Sequence, residues 1–141
     1  MYYAETIDFL KQQGLIAPDG EAAACMDYSV SGAVWGGAIG AAVSASHANN
    51  YIIAADGNAI RVFDIDKQSG VYQNTFSEIK RENIKRLGVS GLFGSKIVVI
   101  KTLNAGALSF SVPAKFKGFK QKEAVARLAA LLKAQYGKKK A

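Results

Sequence analysis

The chain predicts an α+β fold: a strongly bent antiparallel sheet or barrel of about seven strands, capped by one C-terminal amphipathic helix. Three observations carry this. Between Tyr51 and Pro113 short β-prone runs alternate with Gly, Asn and Asp turns. From Phe119 to Tyr136 the apolar residues switch to helical spacing. The length, 141 residues, supports one domain with its own core, and a lone cysteine, Cys25, excludes an internal disulfide.

The elements follow in order. Ala4 to Gln13 predicts a short helix with Ile7, Phe9 and Leu10 as its apolar residues, stopped at Gly14. A turn at Pro18-Asp19-Gly20 leads into Ala22 to Val30, which alternates as a strand with one buried face: Ala22, Ala24, Met26, Tyr28 and Val30. Asp56-Gly57-Asn58 between Tyr51–Ala55 and Ala59–Asp66 is a hairpin signal. Within the second run Ile60 and Val62 fall on one face but Phe63 and Ile65 on the other, which predicts a bulge or burial on both sides. Further strands are expected at Val71–Ile79, Asn83–Val89, Lys96–Leu103 and the alternating Leu108, Phe110, Val112. In the terminal helix Ala124, Val125, Leu128, Leu131, Leu132 and Tyr136 form the buried stripe, with Lys122, Glu123, Arg127 and Lys133 in water and Gly137 as the stop. The expected organisation is a helix and connector over residues 1–19, a body over 20–136 and a basic tail over 137–141.

Residues 31–50 are a Gly/Ala-rich insertion in that body. Gly32, Gly36 and Gly40 recur every four residues beside Trp35. On a helix they would make a small-residue ridge for close backbone packing or homo-oligomerisation, and the competing reading is a glycine loop.

Charge is unevenly distributed. Residues 1–66 hold two basic and eight acidic side chains, net −6; residues 67–141 hold sixteen and three, net +13, and the whole chain is +7. A basic half suits an acidic protein, an anionic surface or membrane, or, less favoured here, nucleic acid. Two clusters stand out. Lys80, Arg81, Lys85 and Arg86 lie in a connection between strands; Lys115, Lys117, Lys120 and Lys122 precede the helix with Phe116 and Phe119 interleaved, as a single-stranded nucleic-acid or membrane-surface contact would use. The plainer reading of both is a solvated face, with the aromatics anchoring the helix start.

Chemistry is not signalled. Gly91-Leu-Phe-Gly94-Ser-Lys96 lacks the Gly-Lys-Ser/Thr of a phosphate loop and is followed by a strand, so a turn is expected. His47 is the one histidine, Cys25 is expected as a core thiol, and Asp64 and Asp66 share one side of a solvated strand end. No cofactor, metal or catalytic set is expected. The start carries Glu5 and Asp8 without a basic leader and no apolar run suits a membrane span, so a soluble, cytoplasmic protein is expected.

The run Tyr51-Ile-Ile-Ala-Ala-Asp-Gly-Asn-Ala-Ile-Arg-Val-Phe-Asp, then Phe76-Ser-Glu-Ile-Lys, Gly91-Leu-Phe-Gly-Ser-Lys-Ile and the terminal helix resemble a bacterial branch of the pleckstrin-homology-like domains over roughly residues 20–136. The resemblance implies a bent sheet with one open end stoppered by the helix. Eukaryotic relatives often bind phosphoinositides through basic residues in the loop after the first strand. Here that loop, residues 31–50, has no Lys or Arg, so that site does not carry over. The combined expectation is a non-enzymatic binding or scaffolding module that contacts a protein or an anionic surface. The alternatives are self-assembly through the glycine segment and nucleic-acid binding through the basic half.

Overall fold

The computed structural model describes residues 2–30, 50–66, 68–91, 94–103, 106–116 and 118–137. Helix α1 spans Tyr2–Gln12, followed by strands β1 (Glu21–Val30), β2 (Asn50–Ala55), β3 (Ala59–Ile65), β4 (Tyr72–Lys80), β5 (Ile84–Ser90), β6 (Lys96–Thr102) and β7 (Ala107–Val112). A two-residue hairpin, β8 (Lys115–Phe116) and β9 (Phe119–Lys120), leads into helix α2 (Lys122–Tyr136). Strands β1 to β7 form one antiparallel sheet in the order β4-β3-β2-β1-β7-β6-β5. The expected α+β architecture is therefore present, a seven-stranded antiparallel sheet capped by the C-terminal helix. The Gly32/Trp35/Gly36/Gly40 segment lies outside the described residues.

Strand β1 belongs to both halves of the sheet. Glu21–Cys25 pair with Ala55–Tyr51 of β2, and Met26–Val30 pair with Ser111–Leu108 of β7, with a register shift between Asp27 and Ser29. Beyond Val112 the ladder cannot continue, because Pro113 has no N–H to give. The Gln121 side chain takes over. Its Oε1 accepts from the Ala24 N–H at 2.8 Å, and its Nε2 donates to the carbonyls of Ala24 at 2.9 Å and Pro113 at 2.7 Å.

Two apolar clusters sandwich the strands. On one side α2 sends Val125, Leu128, Leu132 and Tyr136 against Ala23, Cys25, Ile53, Ile60, Ile100 and Phe110. On the other, Tyr3 and Leu10 of α1 and Ile16 cover Ala22, Ala24, Ile52, Phe63 and Ile65 with Phe116. This corrects the one-faced reading of the first strand: Ala22 to Cys25 are all buried, because α1 covers Ala22 and Ala24 while α2 covers Ala23 and Cys25, the face the alternation left free. It also explains the phase change in β3, whose two faces are both buried. The bulge expected there is present too. Between Phe63↔Phe76 and Ile65↔Tyr72 three residues of β4, Gln73–Thr75, stand against Asp64, and Asn74 has φ +65°.

The C-terminal helix starts at Lys122, three residues later than its apolar spacing suggests. Phe119 pairs with Phe116 across a turn at Gly118, whose φ of +83° a side chain would resist, and stacks on Tyr3. Of the expected stripe Val125, Leu128, Leu132 and Tyr136 are buried, Ala129 joins them, and Ala124 and Leu131 are half-buried. Gly137 does cap the helix, in an extended rather than left-handed conformation; a Cβ there would collide with the Lys133 carbonyl.

Leu128→Ala opens a cavity between α2 and the sheet and is expected to cost about 2–5 kcal/mol in urea melts, against under about 0.5 kcal/mol for exposed Lys133→Ala. Gln121→Ala leaves the buried backbone of Ala24 without its partners; a loss of roughly 2 kcal/mol or more is expected, with faster hydrogen exchange at the Ala24 amide.

Candidate functional site

In the structure the first basic cluster acquires a shape. The connection from β4 to β5 is a single 3₁₀ turn, Arg81–Asn83, held by the Leu103 N–H donating to the Asn83 carbonyl and the Arg81 N–H donating to Asn58. It brings Arg81, Ile84, Lys85, Arg86 and Leu87 to one wall of an open cleft of about 750 Å³, opposite Gln135, Tyr136 and Gly137 at the end of α2. Two other hollows, by α1 and by the start of α2, have about half that volume, 380 Å³ each.

Arg81 is committed to the scaffold. Its Nη1 donates to the Gly57 carbonyl at 2.8 Å and to Gln135 Oε1 at 3.3 Å, and its guanidinium lies 5.1 Å from the Tyr136 ring centroid. Tyr136 Oη donates to the Asp56 carbonyl at 2.6 Å. Hairpin β2–β3, the β4–β5 turn and the end of α2 are thereby tied together, and Gly57 admits the approach because a Cβ would stand 3.3 Å from Gln135 Oε1. Burial, and then the Asp56 carboxylate, push the Tyr136 phenol up to about 12 against the opposing pull of Arg81. It is a neutral donor at neutral pH.

Lys85 and Arg86 are exposed and, among the described residues, have no side-chain hydrogen bond or ion pair. Both lie on β5, with the register shift against β6 falling between Ile84 and Arg86. Glu82, exposed in the turn, is the nearest acid in sequence. The carbonyl end of α2 brings a partial negative potential to the opposite wall, so an anion is favoured on the β5 side, away from the helix end. Lys80 is exposed at the end of β4 and does not line the cleft.

The second cluster separates. Lys115, Lys120 and Lys122 are exposed, Lys117 lies outside the described residues, and the aromatics turn inward: Phe116 is 2% exposed and meets Tyr3 edge-on at 5.2 Å. A stacking platform for bases needs those rings on the surface. Asp64 also departs from expectation. It is buried, 8% exposed, and accepts from Thr75 at 3.3 Å, while Asp66 organises its turn through Gln68 and Ser69, whose hydrogen bonds hold its carboxyl below the usual range. Cys25 is a buried thiol, as expected; His47 lies outside the described residues.

Sequence reasoning supplied the cations of the cleft and missed its other wall. Gln135, Tyr136 and Gly137 come from the end of a helix some fifty residues on; Tyr136 was visible only as a core residue. The Tyr136-Gly137 pair, an aromatic with a polar tip at a helix stop, is the one local signal that pointed there.

No family model matches this chain, and no curated protein matches it. Among solved structures it is similar to the hSac2 domain from human phosphoinositide phosphatase Sac2, at 15% identity over 94% of this chain and 82% of that one, with a TM-score of 0.47. No helix among the described residues is long and apolar enough to cross a membrane.

The raised phenol fixes a pH dependence. The folded state holds the Tyr136 proton more tightly than the unfolded chain, whose value is near 10. Its contribution is full below that value and lost as the pH climbs through about 12. Chemical-denaturation stability is expected to fall across this window, and Tyr136→Phe is expected to be destabilising at neutral pH yet to show a shallower alkaline loss.

Proposed function

We propose that this chain is a binding module, without enzymatic activity of its own, that receives an anionic group of a partner in the cleft between β5 and the end of α2. We assign it, on its sequence resemblance, to the bacterial pleckstrin-homology-like domains. The observation that carries the binding reading is the division of labour among the three cleft cations: Arg81 is spent on the scaffold, while Lys85 and Arg86, exposed on β5 beside it, have no hydrogen bond or ion pair among the described residues. Two free cations at a concave site form charge-assisted hydrogen bonds with carboxylate or phosphate oxygens, each worth about 1.5–3 kcal/mol. The non-enzymatic reading is supported by the polar side chains that line the cleft, an ammonium, two guanidinium groups, an amide and a phenol that stays protonated, and so cannot act as a base, at neutral pH. Nucleic-acid binding by stacking loses its support with Phe116 buried and Phe119 packed on Tyr3.

The test compares three anionic probes: inorganic phosphate, a glutamate-rich peptide and phosphatidylserine vesicles, at low and physiological salt. Binding to at least one is expected to weaken with salt and to fall at least tenfold in Lys85→Glu/Arg86→Glu, with an unchanged melting temperature. Lys120→Glu/Lys122→Glu is the control and is expected to bind as the unmodified chain does. Binding to none, or equal loss in both double variants, overturns the proposal.

A further inference from the structure

The cations of the cleft have a neighbour on the next strand. Ile84 and Leu87 both pack on the core cluster beneath α2, although residues three apart on a regular strand point to opposite faces. The register shift between them resolves this. Ile84 pairs with Thr102 and Arg86 with Lys101, so Lys85 is the extra residue of a β-bulge. Lys85 and Arg86 therefore both lie on the side away from the core, and both are exposed. Across the ladder Arg86 stands directly opposite Lys101, which is exposed too and, among the described residues, has no side-chain hydrogen bond or ion pair. Directly opposite side chains share a face with Cβ atoms about 4.5–5.5 Å apart, and like charges in that position repel. Strands β5, β6 and β7 hold Lys85, Arg86, Lys96 and Lys101 and not one acid. The segments outside the described residues contain no Asp or Glu either. Glu82, in the preceding turn, is the nearest acid in sequence and forms no ion pair with these cations.

We infer that Lys101 is the third cation of the anion site, and that the group received there is a phosphate monoester. This rests on the anion-binding reading of the cleft and names its ligand chemistry. The bulge does two things at once: it sets consecutive cations on one face, and it places the second of them opposite a third. Three positive charges thus gather at one end of the β5–β6 ladder, with Lys96 at the other end of β6. A carboxylate brings a single charge and leaves the repulsion between Arg86 and Lys101 largely in place. A phosphate monoester carries about −1.5 to −2 at neutral pH on three acceptor oxygens, so it can accept from all three side chains. Arg86 offers a planar fork to two of those oxygens, and Lys85 and Lys101 add rotatable point charges on either side. The position agrees with the field of α2, whose carbonyl end turns an anion away from the opposite wall and toward β6. A fold that keeps like charges face to face breaks a local rule of sheet stability, and binding sites are where such breaches are retained.

The experiment uses the full chain and two aryl phosphates, phenyl phosphate and methyl phenyl phosphate, which share the ring and the phosphorus and differ by one negative charge. At pH 7.5 and low salt the monoester is expected to bind roughly tenfold more tightly than the diester. Lys101→Gln is expected to remove most of that preference, weakening the monoester about fivefold or more and the diester less than about twofold, while melting no lower than the unmodified chain. Vesicles of phosphatidic acid, whose headgroup is itself a monoester, separate the sources. Lys101-dependent binding to them that exceeds binding to phosphatidylserine vesicles supports the inference with a lipid headgroup as the source. Lys101-dependent binding of phenyl phosphate without that excess supports it with a soluble phosphate. Equal binding of the two aryl phosphates, or a preference that survives Lys101→Gln, overturns the inference and leaves the anion-binding cleft standing. A glutamate-rich peptide that binds through Lys85 and Arg86, with neither aryl phosphate binding, also overturns it alone. Binding of no probe at all defeats it together with the reading on which it rests.

Discussion

Ala24 is held from both edges. Its backbone pairs with Ile52 of β2 on one side, and on the other it meets the carboxamide of Gln121, which carries a donor and an acceptor as a peptide group does. The place matters because β1 changes partners two residues later, at Met26, and Pro113 ends the opposing strand's capacity to donate. A gap there would leave buried backbone groups unpaired at the seam of the two half-sheets. Gln121 closes it, and because α2 starts at the next residue, the same side chain fixes where the helix leaves the sheet. It can do only one job: as the residue preceding α2 it makes no side-chain cap to its own helix. The direction of α2, and with it the position of Gln135, Tyr136 and Gly137 across from β5, follows from this one amide.

The parts of the fold that were legible in sequence are those decided by neighbours along the chain. The Asp56-Gly57-Asn58 hairpin, the alternation of Leu108, Phe110 and Val112, and the stripe of α2 all hold. What failed depended on distant partners. Ala22 and Ala24 alternate with Ala23 and Cys25 as a half-exposed strand would, and nothing local says that the C-terminal helix, far along the chain, covers the second face. Phe119 fits the helical spacing of the residues that follow, yet pairing with Phe116 and stacking on Tyr3 draw it into a hairpin. The same asymmetry governs the site. Four cations within seven residues are visible to any reader of the chain, but their division into a structural Arg81, a bystander Lys80 and two free side chains is visible only once the hairpin and the helix end are in place.

The charge layout and the fold support each other. The acidic first half contributes mainly α1 and strands β1 to β3; the basic second half contributes β5, β6 and α2. Because Arg61 and Arg127 are paired with Glu78 and Glu21, the sheet spends some cations on itself. The remainder leaves the net charge of +7, which would speed encounter with an oppositely charged partner more than it would raise the final affinity.

The three-residue bulge in β4 bears on how many neighbours such a molecule can have. A sheet with two straight free margins is bivalent and can be stacked margin to margin into a fibre. Here the margin formed by β4 is broken at Gln73–Thr75, with Asn74 turned to positive φ, and no regular ladder can run along it. Margin-to-margin stacking of this sheet would therefore fail at the β4 side, whatever meets the other margin.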